Sequence, residues 1–254
     1  MVLSDGCLYG LPSALPRHLH HFNALDRLAR RARLHLLDET LHVLCRRLPG
    51  ISSGSALART DDDIDEREVD LVPSMTQGRR EQFATGRRAG MAALARAGCA
   101  DVSVAVDVSG APRFPTGFIG AIAHELDHAI CVVAHSNEFD ALGVALELVN
   151  DHELDLEEIA TSVELERVES LSAEWPACAT AILVAAKESA RNALSTETGR
   201  PIALLDVNVG FDAELEEFRA TLVTGNRVSI AGMFTVTRRG VVAVAYRRRA
   251  QRGI

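Results

Sequence analysis

Residues 79–97 read RREQFATGRRAGMAALARA, and their small and apolar side chains recur at the spacing of a helix. Phe83, Met91 and Leu94 fall on one face when the chain turns once in about 3.6 residues. Gly98 follows at the position of a C-terminal cap. The stretch therefore predicts a helix over 79–97.

Short apolar runs bounded by turn residues lie on both sides of this helix and predict strands. An extended piece at 51–58 precedes the helix, and strand-like runs follow it at 102–106, 118–123 and 129–134. The same order then recurs further along the chain. The later predictions are a strand at 142–148, helices at 156–170 and 177–194, and strands at 202–209, 227–236 and 241–246.

A helix followed by a meander of strands, seen twice, predicts an α+β fold of two similar halves that face each other. We expect the halves at 50–137 and 138–254, with an N-terminal helical extension at 1–49. A cleft between the halves is the natural place for a small-molecule ligand. The extension has an apolar stripe that must be buried against the main body or a second subunit. This stripe begins with Leu15, Leu19, Phe22 and Leu25.

The composition argues against several classes of function. The net charge of −8 disfavours nucleic-acid binding, because a duplex partner favours a basic surface. The longest apolar stretches stop at about ten residues, short of the roughly twenty that cross a bilayer. Residues 1–12 lack the basic start and apolar core of a secretory signal. We therefore expect a cytoplasmic protein that binds neither nucleic acid nor membrane.

Four segments, read in order, carry a resemblance to a known enzyme family. They are REQFATGR at 80–87, GAPRFPTG at 110–117 followed by GAIAH at 120–124, GVALE at 143–147, and VAAKES at 184–189. Their order and spacing resemble the signature of the 4′-phosphopantetheinyl transferase superfamily. The size of the chain is similar to the pseudo-dimeric surfactin and enterobactin type, in which two related halves enclose the site.

The resemblance implies transfer of the 4′-phosphopantetheine arm of coenzyme A to a serine of an acyl or peptidyl carrier protein. Phosphoryl transfer of this kind uses a divalent cation such as Mg²⁺ to bridge the phosphates. By resemblance, Glu147 and Glu188 hold the metal ion, and Lys187 and Glu164 join them as catalytic groups. The coenzyme A ligands implied in the same way are Arg80, Arg87, Arg113, His124 and Lys187.

The chain departs from the family at several of these positions. Ala145 stands where the family has a metal-binding aspartate, so only Glu147 and Glu188 remain of the usual ligands. A methyl group cannot bind Mg²⁺, which takes oxygen ligands. Asn192 replaces a family lysine, and family serines are alanines at 121, 123 and 185. These substitutions together predict the loss of efficient Mg²⁺-dependent transfer of phosphopantetheine.

Three functions remain open from the sequence. The chain is a repurposed enzyme that acts without metal on a small molecule or carrier-bound intermediate, an active transferase with a weakened metal site, or a non-catalytic module that binds carrier proteins or coenzyme A. Structural roles are open as well. Arg80 and Arg87 also fit a solvated helix face. His124 also fits a buried core position, and Glu164 fits a solvated acidic face.

Overall fold

A computed structural model describes residues 32, 35–58, 76–106, 111–149, 156–225, 227–237 and 240–250. Helices and strands alternate along these residues, which confirms the predicted α+β class. The helices are α1 (35–46), α2 (Gln77–Arg96), α3 (Ser162–Glu174) and α4 (Ala179–Thr198). The strands are β1 (Ile51–Leu57), β2 (Ala105–Val106), β3 (Pro112–Arg113), β4 (Phe118–Glu125), β5 (His128–His135), β6 (Phe139–Leu148), β7 (Val207–Asp212), β8 (Glu217–Leu222), β9 (Ser229–Val236) and β10 (Gly240–Arg248).

Two antiparallel sheets carry the fold. The first has the strand order β1–β5–β4, and the second has the order β6–β10–β9–β8–β7. In the first sheet, β1 pairs with the second strand of the hairpin β4–β5. In the second sheet, β6 pairs with the second strand of the last hairpin, β9–β10. Helix α2 packs on the first sheet, and helix α4 packs on the second. The strands β2 and β3 form a separate small ribbon.

A glycine lets each long helix lie directly on its sheet. A Cβ added to Gly54 in β1 would lie 2.5 Å from the backbone nitrogen of Ala93 in α2. A Cβ added to Gly143 in β6 would lie 2.7 Å from the backbone nitrogen of Ala193 in α4 and would overlap the carbonyl oxygen of Ser189. These distances are shorter than van der Waals contact, so any larger residue would push the helix away from the strand.

One apolar core joins the two sheets and helix α1. It combines side chains of β4 and β5 with side chains of β6, β9 and β10. Helix α1 contributes Leu41, Leu44 and Cys45, and the turn after it contributes Leu48. Burial of these three leucines stabilises the fold by roughly 1.5–3 kcal/mol each. The apolar face of α1 is therefore buried against the main body. The predicted start of this stripe, at residues 15–25, lies outside the described residues.

The structure corrects several element boundaries. The helix predicted at 156–170 is wrong at its start, because Leu156–Glu158 forms a 3₁₀ turn and the α-helix begins at Ser162. Thr161 and Glu164 supply the reason, since the Glu164 carboxylate accepts a hydrogen bond from the Thr161 backbone N–H in a capping box. The strand predicted at 102–106 shrinks to two residues, and the one predicted at 202–209 starts at Val207. Strands β3 and β8 were not predicted.

The helices of the described chain are all too short or too polar to span a bilayer.

We predict that Gly143→Ala will destabilise the protein by about 1–3 kcal/mol, because the new methyl group has no room between β6 and α4. Chemical denaturation monitored by circular dichroism measures the change. Gly210→Ala is the matched control, since a Cβ at Gly210 in β7 meets no atom within 4 Å. Equal stability of the two variants would contradict the proposed close approach.

Candidate functional site

The segments that carry the resemblance contact each other through their glycines. Gly86 of the first segment leaves room for the His124 imidazole, because a Cβ there would lie 2.5 Å from Nε2. Gly120 accommodates the ring of Phe114 in the same way, with a Cβ-to-ring distance of 2.5 Å. Gly143 lies against Ser189, which joins the third segment to the fourth. The four segments are therefore packed against one another in pairs.

His124 is a neutral hydrogen-bonding group at the end of β4. Burial lowers the pKa of His124, and a backbone hydrogen bond with Gln82 works against that shift. The nearby Arg79 lowers the pKa further. Its Nε2 atom is buried and meets no hydrogen-bond partner in the part of the chain that the structure describes. The lowered pKa therefore favours the uncharged ring, and its Nε2 lies against Gly86.

A cavity of about 170 Å³ lies beside His124 and is lined by Arg79, Phe83 and Arg87 among others. Arg87 is buried, its Nε donates a hydrogen bond of 2.8 Å to the Val104 carbonyl oxygen, and its guanidinium lies 4.3 Å from the centre of the Phe83 ring. The interpretation of Arg87 as a solvated residue is therefore wrong.

The other two predicted arginines do not line this cavity. Arg80 is half-buried on α2, and Arg113 is exposed on β3. Any contact of these two arginines with coenzyme A stays a prediction.

Glu147 lies close enough to Glu188 and to Glu125 to interact electrostatically with each of them. Burial raises the pKa of Glu147 to about 7, and the carboxylates of Glu125 and Glu188 add to the rise. Burial also raises the pKa of Glu125 and of Glu188. Arg191 forms an ion pair with Glu188 and lowers its pKa in turn. The carboxyl groups of Glu125 and Glu188 thus both act on Glu147, beside the contact between β4 and β6.

The residues present do not complete a magnesium site. Ala145 is 3 % exposed and packs in the core between β6 and α4, so an apolar side chain fills the position of the family's aspartate. Within the described ranges, no three His, Cys, Asp or Glu side chains are placed to hold a metal ion. Asn192, which replaces a family lysine, donates a hydrogen bond to the Val144 carbonyl oxygen at 3.2 Å. The site holds two of the expected ligands and not the third.

Lys187 and Glu164 form a buried ion pair, away from solvent. Both residues are 0 % exposed, and the Lys187 Nζ lies 2.8 Å from each Glu164 carboxylate oxygen. Burial lowers the pKa of Lys187, and the Glu164 carboxylate works against that shift. The interpretation of Glu164 as part of a solvated face is therefore wrong. Their predicted catalytic roles stay predictions, since each already has a partner in the folded chain.

This ion pair also closes the open edge of the second sheet. Strand β7 is the outer strand, and its backbone groups face α3 and α4. Glu164 accepts a hydrogen bond from the Val209 N–H at 2.9 Å, and Lys187 donates one to the Val207 carbonyl oxygen at 2.6 Å. Arg167 donates to the Val209 carbonyl oxygen. Side chains thus take the place of a further strand.

Residues 67–134 match the family model of the 4′-phosphopantetheinyl transferase N-terminal domain. The match supports the resemblance to this superfamily, and it covers the first two of the four segments. A search of curated proteins found no significant match to the chain.

Two features of this region, the carboxyl group of Glu125 beside Glu147 and the burial of the Lys187–Glu164 pair, were not predicted. Glu125 follows His124 directly, and its position next to the histidine segment was the available signal. Lys187 is the only lysine in the sequence, which was a signal that this position has a specific role. Neither signal identifies a partner, because the contacts with Glu147 and Glu164 join distant parts of the chain.

We predict that Glu147→Gln will stabilise the protein at pH 8 and leave its stability unchanged at pH 4. The pKa of Glu147 is raised in the folded state to about 7, so its contribution to stability is present below the unfolded pKa and is lost as the pH rises through 7. Melting temperatures measured across this pH range test the prediction. Glu214→Gln, at an exposed position, is the control. A pH-independent effect of Glu147→Gln would contradict it.

We predict that Lys187→Met will destabilise the protein by about 3–5 kcal/mol, because it leaves a buried carboxylate without a counter-ion. The double variant Glu164→Gln/Lys187→Met is expected to lose less stability than Lys187→Met alone. Urea denaturation of the three proteins measures both effects. The buried ion pair would be ruled out as a stabilising contact if Lys187→Met unfolded like the wild type.

Proposed function

We propose that this chain is a 4′-phosphopantetheinyl transferase-like protein that has lost efficient Mg²⁺-dependent transfer and has been repurposed. In this proposal the cleft between the halves binds a small molecule or a carrier-bound intermediate, and catalysis does not require a metal ion. The observation that carries the proposal is Ala145, which is buried in the apolar core where the resemblance expects a metal ligand.

Glu147 is the group that we assign to acid–base chemistry in the cleft. A carboxyl group with a pKa of about 7 holds or releases a proton at neutral pH, which is the property of an effective general acid or base. Neighbouring carboxylates and burial produce this pKa without a metal ion. His124, whose ring lines the neighbouring cavity, is the uncharged group that we assign to contact with the ligand.

The same proposal assigns anion recognition to the arginines and treats the chain as a pseudo-dimer. Arg87, next to His124 in the cavity, and Arg80 and Arg113 outside it are the groups proposed to contact coenzyme A phosphates. The halves proposed at 50–137 and 138–254 are supported by the equivalent strand orders β1–β5–β4 and β6–β10–β9. Equivalent glycines in β1 and β6 give further support.

An active transferase is the second candidate, and Glu125 is the observation that favours it. Its carboxylate acts on Glu147 electrostatically, so it lies close to the two retained metal ligands. A modest movement of Glu125 towards Glu147 and Glu188 would give three carboxylates, which suit the oxygen preference of Mg²⁺. In this candidate, Glu125 of the first half compensates for the aspartate that Ala145 replaces in the second.

The test is the mass of a carrier protein after incubation with coenzyme A, Mg²⁺ and this protein. We predict that the wild type transfers phosphopantetheine orders of magnitude more slowly than an active family member, since each 1.36 kcal/mol of lost metal stabilisation costs about tenfold in rate. Rapid gain of the phosphopantetheine mass would overturn the repurposing proposal and favour the second candidate. If Glu125→Gln then failed to add the phosphopantetheine mass to the carrier protein, Glu125 would be assigned as the third metal ligand.

Ala145→Asp serves as the matched variant in the same experiment. It should raise the affinity for Mg²⁺ measured by calorimetry, because it adds a carboxylate on the strand face of Glu147. It should restore little transfer, since Asn192 and the alanines at 121, 123 and 185 also depart from the family. Calorimetric titration with coenzyme A, with and without Mg²⁺, separates the loss of cofactor binding from the loss of transfer.

A further inference from the structure

A groove of about 790 Å³ lies between helix α3 and strands β7 to β10 of the second sheet. It shares no lining residue with the cavity beside His124, and Glu147 does not line it either. One wall is a stripe of α3 that contains Arg167, Leu171 and Glu174, spaced as on one face of a helix. The other wall is the end of β7, at residues 210–213. The groove is thus a separate surface of the second half.

The outer edge of β7 is open at Phe211. The Val223 N–H donates to the Asp206 carbonyl oxygen, so the even-numbered residues of this segment are the ones that pair with β8. The odd-numbered residues therefore turn their backbone groups outwards. At Val207 and Val209 three of these groups bind side chains of α3 and α4. The N–H and C=O of Phe211 have no such partner among the residues that the structure describes, and an unpaired strand edge is a template for another strand.

The two faces of β7 differ in polarity at this open edge. Side chains alternate along a strand, so Phe211 lies on one face and Gly210 and Asp212 lie on the other. Phe211 packs against the core that includes Leu171 of α3. Asp212 pairs with Glu217 of β8 on the opposite face, and a Cβ added at Gly210 would meet no atom within 4 Å. A strand added at Phe211 would therefore meet apolar side chains on one face and carboxyl groups, with free space, on the other.

Negative charge dominates the walls of the groove. Helix α3 and the hairpin β7–β8 expose six carboxyl groups, those of Glu166, Glu169, Glu174, Asp212, Glu214 and Glu217. The cations in the lining are Arg219, which is exposed, and Arg167, which is half-buried and donates to the Val209 carbonyl oxygen. Charge complementarity therefore favours a partner with positive side chains and disfavours an acidic one.

We propose that this groove binds an extended peptide segment of a partner protein, in which lysine or arginine alternates with apolar side chains. The segment adds to β7 as a short outer strand, accepts a hydrogen bond from the Phe211 N–H and donates one to the Phe211 carbonyl oxygen. Its apolar side chains contact Leu171 and Phe211, and its cations lie beside Asp212 and Glu217. Pairing stops at Phe211, because Arg167 already occupies the Val209 carbonyl oxygen. Side chains therefore contribute much of the affinity.

The experiment is an NMR titration of the full chain with a capped heptapeptide in which lysine alternates with valine. Backbone signals of residues 167–174 and 210–213 should shift in a saturable way. A matched peptide with glutamate in place of lysine should not bind. Methylation of one alternate set of peptide amides, the valines or the lysines, should weaken binding by at least about fivefold, whereas methylation of the other set should not, because only one edge of the segment faces β7.

Charge variants of the protein test the rim of the groove. Glu174→Gln and Glu217→Gln should each weaken binding of the lysine–valine peptide by about two- to fivefold, the range of exposed ion pairs. Glu158→Gln is the control, since Glu158 is exposed and does not line the groove, and it should bind the peptide as the wild type does.

Four results would each overturn the proposal. They are the absence of shifts in the groove signals, equal binding of the glutamate peptide, equal binding of the two methylated peptides, and unchanged binding by both rim variants. A fifth is a shift of the groove signals with protein concentration alone, which would mean that a second copy of this chain covers the groove.

Discussion

The close approach of a glycine in a strand to the backbone of the helix above it determines where the side chains of this fold lie. Gly143 brings β6 against the Ser189 carbonyl oxygen of α4, and no side chain separates the two elements. Glu147 lies four residues along β6 from this contact, and Glu188 immediately precedes Ser189. Close approach of the backbones therefore brings the two carboxyl groups together. The candidate site is a consequence of helix–sheet packing before any ligand is considered.

Adjacent residues of α4 face opposite electrostatic surroundings. Lys187 points into the protein, where Glu164 neutralises it and where both close the edge of β7. Glu188 lies between Arg191, with which it forms an ion pair, and Glu147, whose pKa it raises. The buried positive charge of Lys187 thus has a structural role, and the negative charge of the carboxyl groups near Glu147 is only partly balanced. A site of this kind favours a bound proton when no cation is present.

Local patterns were sufficient for most of the fold. The apolar periodicity predicted α2, and continuous apolar runs bounded by turn residues predicted β4, β5, β6 and β10. Strand β8 was missed although Glu217 and Arg219 alternate with buried residues over its six positions, a pattern that predicts a half-buried strand. The T-x-x-E capping box at Thr161 was readable and would have placed the start of α3 correctly.

The candidate site was less predictable than the fold. Family segments identified Glu147, Glu188 and His124, and the structure brings the first two together. The roles of Glu125 and Glu164 depend on contacts across more than twenty residues of chain, which no local pattern encodes. The burial of Arg87 was equally hidden, since a guanidinium on a helix is ordinarily solvated.

Placement of the only lysine at the centre of the second half has a consequence for covalent chemistry. Acyl thioesters such as those of coenzyme A react with exposed ε-amines, and the one ε-amine of this chain is 0 % exposed and bonded to Glu164. The remaining positive side chains are arginines, whose guanidinium groups stay protonated and are poor nucleophiles. While the protein remains folded, its side chains thus present no amine for acylation by an activated thioester.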